Sequence, residues 1–508
     1  MHHFIFPNKD NWVSSGSSKI TGESFRDQNF GRDQILEVKK EFFNNSFDHF
    51  TRALVQFSGD EFTELSKSRS DGTISDDAKY YLRLYEAEGN AEMTETYTLA
   101  IQPISQSWIE GTGKFGDDPK NTNGCSWENR SNPIGGTANQ WSTQTSVGNT
   151  FASGTVTIGT GDYENQELTI GGVDFIFVKD TVNFDNNSNE IFVESGSTIQ
   201  ISAANLTGSI NHPASASLHG LPITASHAPS TGGVILSGSS SGTLANLSAA
   251  SSSNKFQFSS NLDKALEGGT NTIEEVSGNG PSVLDVSSSV QAFSNQEPDL
   301  NVEITNMVNM WFSGSVDNNG MLIRFSGSQE TDSETFGHLK FFSRNTHTIF
   351  SPQLEVRWDD HIACSGSNTG SLTELTMSGL ADNFLYMKGL REEYKVGERV
   401  KFRVGARKRY IQKTFSTSVQ TVTGSFIPEN SGSYAIKDVA TDEFIVPFED
   451  NQDVSYTKLS CDSESNYFIQ YLDGFYPDRV YKILLKLKTD DGQEQVFDDD
   501  FEFIVKRK

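Results

Sequence analysis

The sequence predicts a mainly β protein built from several β-sandwich domains, and three observations lead to this fold class. Apolar and polar residues alternate with a period of two in many short segments, as expected for strands that bury one face. The chain has 43 Gly and 36 Phe but only 13 Pro, which suits short strands joined by Gly, Asn and Asp turns. A length of 508 residues corresponds to about three domains.

Residues 1–150 are predicted to form the first half of a split, jelly-roll-like sandwich. The polar stretch between the second and third strand patterns predicts a short helix near residues 59–67. The predicted strands cover residues 34–38, 52–57, 79–85 and 96–101.

Residues 151–280 differ in composition, because Ser, Thr, Gly, Ala and Asn dominate and Lys and Arg nearly vanish. Low complexity alone is typical of a linker, but strand and helix patterns return within the segment. We therefore expect a small inserted α+β domain at about residues 165–260, with flexible flanks. Its predicted elements are a hairpin at 166–178 around Gly171-Gly172, a helix at 198–211, and strands at 221–226 and 233–237.

Residues 281–364 are predicted to complete the split sandwich. Ile304, Met307, Val308 and Trp311 recur at helical spacing, which predicts a helix of one or two turns between strands. A Ser/Gly/Asn stretch at 365–371 then predicts a linker. The predicted strands cover residues 284–286, 320–325, 339–343 and 354–358.

Residues 374–508 are predicted to form a C-terminal immunoglobulin-like sandwich, because strand patterns recur at nearly regular spacing with turn residues between them. The predicted strands cover residues 394–404, 434–438, 444–448, 467–472, 480–487 and 501–505.

The charge balance restricts the partners. The formal net charge is −27, which argues against nucleic acid, since phosphate binding needs a basic surface. It also disfavours anionic membranes, and no apolar run is long enough for a membrane helix. The expected partners are proteins or glycans, and no cofactor is expected.

The three cysteines are far apart and form no Cys-x-x-Cys pair, so neither a zinc site nor a disulfide framework is expected. Three reduced thiols, and an N-terminal segment with too short an apolar run for a signal peptide, predict a chain folded in a cytosol. The cysteines are Cys125, Cys364 and Cys461.

No catalytic constellation is evident, and we expect a protein that is not an enzyme. Glu110 with Asp117 or Asp118 has the residue types of a glycosidase pair, but acidic residues in Gly-rich loops are usually solvated. The oxygen-rich loop at 111–124 is compatible with Ca²⁺ yet lacks EF-hand spacing. Three histidines in the insertion match no compact metal motif and are expected at the surface. They are His212, His219 and His227.

Two groups of residues are candidates for partner contacts. Trp127 and Trp141 lie in polar loop sequence, whereas the other tryptophans occupy periodic apolar positions, so these two are candidates to bind a glycan or protein. Ten of the forty Lys and Arg residues fall within 388–413, as a solvated strand face or as a docking patch for an acidic neighbour. The candidates in that patch are Arg403, Arg407, Lys408 and Arg409.

The first and third regions together resemble the DNRLRE-type β-sandwich, a domain found beside carbohydrate-active and cell-surface modules. The matching segments occur in the family's order, and the insertion replaces a short loop of the family. They include Asp10-Asn-Trp12, Asn29-Phe-Gly31, Arg52-Ala-Leu-Val-Gln-Phe57, Ala78-Lys-Tyr-Tyr-Leu-Arg-Leu-Tyr85, Ser107-Trp-Ile-Glu-Gly111, Ile304-Thr-Asn-Met-Val-Asn-Met-Trp311, Asn318-Asn-Gly320, Phe342-Ser-Arg344 and Pro352-Gln-Leu-Glu-Val356.

The C-terminal third is similar to terminal domains of virion structural proteins from contractile-tailed marine phages. The likeness lies in Tyr434-Ala-Ile-Lys-Asp-Val-Ala-Thr-Asp-Glu443, Tyr456-Thr-Lys-Leu-Ser460, Asn466-Tyr-Phe468 and Pro477-Asp-Arg-Val-Tyr481.

These resemblances imply a structural component of a phage tail, neck or baseplate, assembled in the host cytoplasm and present in several copies beside other virion proteins. The alternative is a carbohydrate-binding adhesin or receptor-binding protein that attaches to a host surface glycan. The two functions predict different partners, and the virion component is the leading hypothesis because the two resemblances occur without a catalytic constellation.

Overall fold

The structure is a computed structural model of the full chain. It describes residues 1–508 except 44–45, 90–95, 143–150, 161–163, 182–184, 228–231, 242–246, 252–255, 259–272, 275–279, 285–286, 294–298, 411–414, 416–423, 450–455, 490 and 508. The fold is mainly β, as the sequence predicts. The predicted flexible flanks of the insertion fall largely outside the described residues.

The first part of the chain contributes nine described strands and one helix. They are β1 (His2–Ile5), β2 (Lys9–Ser14), β3 (Ile35–Phe43), β4 (Ser46–Gln56), α1 (Asp60–Ser70), β5 (Lys79–Leu84), β6 (Glu86–Gly89), β7 (Tyr97–Pro103), β8 (Asn129–Ser131) and β9 (Asn139–Gln140). All four predicted strands and the predicted helix are present.

The inserted segment contains two four-stranded sheets and two helices around a core of its own. Its elements are β10 (Phe151–Ile158), β11 (Gln166–Ile170), β12 (Val173–Val178), β13 (Glu190–Glu194), α2 (Ile199–Asn211), α3 (Pro213–His219), β14 (Ile223–His227), β15 (Gly233–Ser241), β16 (Ala249–Ser251) and β17 (Phe256–Phe258). The sheet orders are β14-β15-β10-β17 and β13-β12-β11-β16.

The predicted hairpin and helix of the insertion are confirmed. Gly171 and Gly172 both have positive φ, 58° and 84°, as a two-residue hairpin turn between right-twisted strands requires. Helix α2 starts after Thr198, whose side chain accepts a hydrogen bond from the N–H of Ile201, and its apolar side packs into the core of the insertion.

After the insertion the chain adds strands to the first part. They are β18 (Ile273–Glu274), β19 (Val283–Leu284), β20 (Ser289–Phe293), β21 (Leu300–Glu303), α4 (Thr305–Phe312), β22 (Met321–Phe325), α5 (Gly327–Thr331), β23 (Gly337–Phe342) and β24 (Gln353–Arg357). Helix α4 confirms the helix predicted from Ile304 to Trp311. The predicted strand at 284–286 lies partly outside the described residues.

The two parts interleave in the same sheets. One sheet has the order β1-β24-β5-β21, which alternates strictly between the first part and the second. The larger sheet runs β20-β7-β22-β4-β3-β23-β6, and β2 pairs with β4. The side chains between these sheets form one buried core, so the two parts build a single sandwich, which we call the platform.

The C-terminal region forms two packed sheets with a core between them. The strands are β25 (Thr373–Glu374), β26 (Asn383–Lys388), β27 (Glu393–Lys395), β28 (Arg399–Lys408), β29 (Ser425–Phe426), β30 (Gly432–Asp438), β31 (Phe444–Val446), β32 (Ser460–Asp462), β33 (Ser465–Tyr471), β34 (Arg479–Lys488) and β35 (Glu494–Lys506). One sheet runs β25-β29-β28-β33-β32, with β26 paired to β28, and the other runs β27-β35-β34-β30-β31. We call this unit the C-terminal sandwich.

The prediction of one continuous strand over residues 394–404 is wrong. The chain turns at Gly397, whose φ is 85°, and the two pieces join different sheets. β27 pairs with β35, whereas β28 pairs with β26 and β33. The alternating pattern continues through the turn because both pieces face the same core.

The prediction of three reduced thiols is also wrong. Cys364 and Cys461 form a disulfide across 97 residues, and only Cys125 remains free and buried. Cys364 precedes a short 3-10 helix at Gly366–Thr369 inside the predicted linker, and Cys461 lies in β32. Sequence spacing carries no sign of this pair, because the fold of the C-terminal sandwich is what brings the two side chains together.

We predict that the platform folds without the insertion. β10 and β17 pair next to each other, with Ile158 opposite Phe256, so the ends of the inserted unit are close together and its core is separate from the platform core. Replacing residues 151–258 with a short Gly/Ser linker should therefore leave the melting temperature of the remaining protein unchanged to within roughly 2 °C.

Calorimetry on the full chain and the deletion variant checks this. The matched control is a deletion of β21 to β24, which should abolish the cooperative transition of the platform. A large loss of stability in the linker variant would contradict an independent insertion.

Candidate functional site

Asn29, in the matched segment Asn29-Phe-Gly31, connects three loops of the platform through hydrogen bonds. Its buried amide Nδ2 donates to the carbonyl oxygens of Glu110 and Cys125, both at 2.7 Å. Its Oδ1 accepts from the backbone N–H groups of Gly31 at 3.1 Å and Gly113 at 2.8 Å. One side chain thus satisfies four buried backbone groups, which are costly to leave unpaired.

Two glycines of these motifs are required by close backbone approach. A Cβ atom at Gly31 would lie 2.2 Å from the carbonyl oxygen of Glu110. At Gly111, where φ is 86°, it would lie 2.1 Å from the carbonyl oxygen of Asn123. The motif residues therefore act here by packing loops, which explains their residue types without any reactive role.

Glu110, the acidic residue of the matched segment Ser107-Trp-Ile-Glu-Gly111, is bound by neighbouring groups. Its Oε1 lies 2.8 Å from Nη1 of Arg344 and accepts the backbone N–H of Asp10 at 3.1 Å. The N–H of Arg344 donates to Oδ2 of Asp10 at 2.6 Å. Burial raises the pKa of Asp10 to about 7, although the hydrogen bond from the Arg344 N–H acts in the opposite direction. Asp10 is only 1% exposed, so its carboxyl group is closed to solvent, whereas the Glu110 side chain is partly buried.

The structure places Trp127 and Trp141 in the interior, so neither is available as a surface contact. Trp127 is 0% exposed and Trp141 is 4% exposed. Both belong to a second core in which the segment after β7 folds over the outer face of the larger sheet and covers Leu54 and Leu322. The guanidinium of Arg52 lies 4.4 Å from the Trp127 ring centre.

The sequence of β4 indicates that both faces of this strand are covered. In β4 Ala53, Leu54 and Val55 are consecutive, and all three are fully buried. A continuous apolar run of this kind is typical of a strand covered on both faces. The rings of Trp127 and Trp141, in the polar segment after β7, cover the second face.

The four basic candidates lie on or just after β28, and three of them, Arg403, Arg407 and Lys408, contact groups of the C-terminal sandwich itself. Arg403 is 2.9 Å from Asp462 and 3.3 Å from Glu464. Arg407 lies 4.4 Å from the Phe384 ring centre. Lys408 donates to the carbonyl oxygen of Ser378, and Arg409 is exposed. The patch is thus partly neutralised at its Arg403 end and open at its Arg409 end.

The oxygen-rich loop forms a surface hollow of about 660 Å³ that includes Asp117, Asp118, Asn121 and Asn123. Oδ2 of Asp117 accepts the backbone N–H of Lys114, and Oδ1 of Asn121 accepts that of Asn123. Among the described residues no group of three or more His, Cys, Asp or Glu side chains is arranged to hold a metal ion.

The histidines of the insertion lie apart and serve the local backbone. Nδ1 of His212 accepts the N–H of Ala214 at the start of α3. His219 is buried rather than at the surface, with Nδ1 accepting the N–H of Leu221 and Nε2 close to the carbonyl oxygen of Ile210. The expectation of three surface histidines is therefore wrong for His219, which helps to end α3.

The feature that sequence reasoning missed is the junction between the platform and the C-terminal sandwich. Strand β1 pairs with β24 of the platform, while Phe4 packs into the core of the C-terminal sandwich. A Cβ atom at Gly474 would lie 2.3 Å from Cβ of Phe4. One strand therefore belongs to both units.

The amino group of Met1 is buried at this junction. It donates to the carbonyl oxygens of Trp358 at 2.8 Å and Tyr456 at 2.6 Å, and it lies 3.2 Å from Asp360. Burial lowers its pKa, and the charge of Asp360 acts in the opposite direction.

A buried ionic group completes the junction. Nδ1 of His2 is 2.7 Å from Glu355, and Nε2 is 3.2 Å from Glu449 of the C-terminal sandwich. Nη2 of Arg357 is 2.8 Å from the Glu355 carboxylate, and Nη1 of Arg83 is 3.6 Å from the same carboxylate. Burial opposes ionisation of Glu355, but the hydrogen bond from His2 and the charges of Arg83 and Arg357 hold its pKa well below the ordinary value. Replacing Glu355 would remove the buried carboxylate that His2, Arg83 and Arg357 share, which is costly at a buried site.

No protein-family model, curated protein or solved structure matches this chain. Within the part of the chain that the structure describes, no helix is long and apolar enough to cross a membrane.

We predict that Asn29→Ala destabilises the platform by about 3 kcal/mol, because the buried N–H groups of Gly31 and Gly113 lose their acceptor and the carbonyls of Glu110 and Cys125 keep only the longer hydrogen bonds from Asn11. Chemical denaturation checks this value. The control is Asn123→Ala in the same loops, since the exposed Asn123 amide makes one long contact, to Thr112. Equal stability of the two variants would contradict the role assigned to Asn29.

We predict that Asp10→Asn becomes relatively more stable than the parent as pH rises. The pKa of Asp10 is about 7 in the folded protein against 3.8 for an unperturbed carboxyl. The stabilisation linked to its proton is therefore complete below about pH 4 and lost as pH rises through 7.

Unfolding free energies at pH 4.5 and pH 8 measure this effect, which has an upper bound of roughly 4 kcal/mol since one pKa unit is about 1.4 kcal/mol. The exposed Asp499→Asn, which removes the same charge, is the control and should show no such trend. A difference between Asp10→Asn and the parent that stays constant with pH would contradict the assignment.

Proposed function

We propose that this chain is a non-enzymatic structural component of a tailed-phage virion, in the tail, neck or baseplate. The platform and the C-terminal sandwich would dock on other virion proteins, and the insertion would be displayed from the platform. Several copies of the chain would act together, so that weak contacts by each copy add to a strong attachment.

The observation that carries this proposal is the sharing of β1 between the two sandwiches. β1 pairs with a platform strand, and Phe4 of the same strand lies in the other core. Such an arrangement resists rotation of one unit against the other, which a load-bearing support requires and a flexible tether does not provide.

The attachment of the insertion supports display. Its ends meet at the adjacent strands β10 and β17, and its core includes no platform residue. A unit joined in this way extends from a loop of its support and leaves the sheets of the support intact. The phage origin itself rests on the sequence resemblance of the C-terminal third.

The alternative, a carbohydrate-binding adhesin, rests on the resemblance to a sandwich found beside carbohydrate-active modules and on Trp127 and Trp141 as candidates for glycan contact. Both rings are buried, and aromatic stacking on a sugar needs an accessible face. The burial of these rings removes one of the two observations behind the glycan-binding hypothesis, and we propose the structural role as the leading function.

Mass spectrometry of purified particles from the source phage, followed by cryo-electron microscopy, tests the proposal. We expect this chain in the particle at a copy number set by the symmetry of the tail, neck or baseplate. Density for the two sandwiches should contact neighbouring proteins, with the insertion pointing away from them.

Absence of the chain from washed particles, with its presence in the lysate, would contradict the proposal. A capsid protein measured in the same samples controls for recovery.

A further inference from the structure

A pocket of about 150 Å³ opens at the junction of the platform and the C-terminal sandwich. It lies beside β1 and α1 of the platform and the end of β33 of the C-terminal sandwich. Its lining residues are His3, Ile5, Glu61, Glu64, Leu65, Ser68, Thr73, Ile74, Trp358, Tyr471 and Asp473. A volume of this size accommodates one side chain.

The charged groups of the pocket are all acidic. Glu61 and Glu64 come from α1, and Asp473 comes from the C-terminal sandwich. Among the described residues, no Lys or Arg forms an ion pair with these three carboxylates. Their mutual repulsion adds to burial in raising the pKa of Glu61, which indicates a site of negative potential without a counter-charge.

The nearest guanidinium groups serve other carboxylates. An adjoining cleft shares Glu61 and Asp473 with the pocket and is also lined by Arg344 and Arg507. Arg344 pairs with Glu110, and Arg507 lies 3.7 Å from Asp478. These two guanidinium groups therefore form no ion pair with the carboxylates of the pocket.

The rest of the lining combines apolar and aromatic groups with an unsatisfied ring nitrogen. Leu65 and Trp358 are each 3% exposed and belong to the platform core. His3 packs edge-on against Tyr471, with 5.3 Å between ring centres. Nδ1 of His3 is buried without a hydrogen-bond partner. A cationic donor on an aliphatic stem matches this lining through cation–π contact with the half-buried Tyr471 ring, pairing with the carboxylates and a hydrogen bond to His3.

We propose that this pocket receives a lysine or arginine side chain of a partner protein that docks across the junction. The net charge of −27 attracts basic partners over long range, and the pocket gives that attraction one defined point of attachment. The inference does not depend on the chain being a virion component, since it follows from the chemistry of the pocket.

Titration of the full chain with N-acetyl-lysine methylamide, and separately with N-acetyl-arginine methylamide, tests the proposal. Binding is followed by calorimetry and by the fluorescence of Trp358 at the pocket wall. The corresponding norleucine derivative has a similar stem but no charge and serves as the ligand control. We expect saturable binding of the lysine or arginine derivative that weakens with salt, and no binding of the norleucine derivative.

The test variant is Glu64→Gln combined with Asp473→Asn, which keeps the size of both side chains and should weaken binding at least tenfold. The matched control is Asp60→Asn combined with Asp499→Asn, which removes the same charge outside the pocket and should bind like the parent. An unchanged melting temperature shows that each variant is folded. Equal binding of norleucine, absence of binding of both basic derivatives, or parent-like affinity of the pocket variant would overturn the proposal.

Discussion

The strand interleaving of the platform is the constraint on which the rest of the structure depends. In the order β1-β24-β5-β21 every neighbour comes from the other side of the insertion. Neither part alone can form this sheet, because none of its four strands pairs with another strand from the same side of the insertion. The inserted domain must therefore leave its two connections close together, and the pairing of β10 with β17 achieves this.

Strand β1 is likewise shared between the platform and the C-terminal sandwich. β1 completes a platform sheet and places Phe4 in the neighbouring core, so the two units are joined by packing as well as by chain connection. The buried group around His2 and Glu355 adds ionic contacts to that packing. Its contribution is to alignment more than to net stability, since desolvation offsets much of the attraction between buried charges.

Local patterns predicted most elements but not how they combine. The hairpin at Gly171-Gly172 and helix α4 follow from periodicity over a few residues, which a sequence displays directly. The Cys364–Cys461 bond and the pairing of Arg403 with Asp462 join residues 97 and 59 positions apart, and no local signal encodes them. Trp127 was misassigned because its polar neighbours suggested an exposed loop, although Leu54 in a fully apolar run already required a cover on that face.

Native-state hydrogen exchange, measured by mass spectrometry at increasing denaturant, tests the central claim most directly. The account predicts that amides of β4 and β7, before the insertion, and of β22 and β24, after it, exchange through one common opening with the same free energy. The amides of α2 and β12 in the insertion should open separately. Protection that persists in β4 and β7 after β22 and β24 have lost theirs would contradict a single interleaved platform.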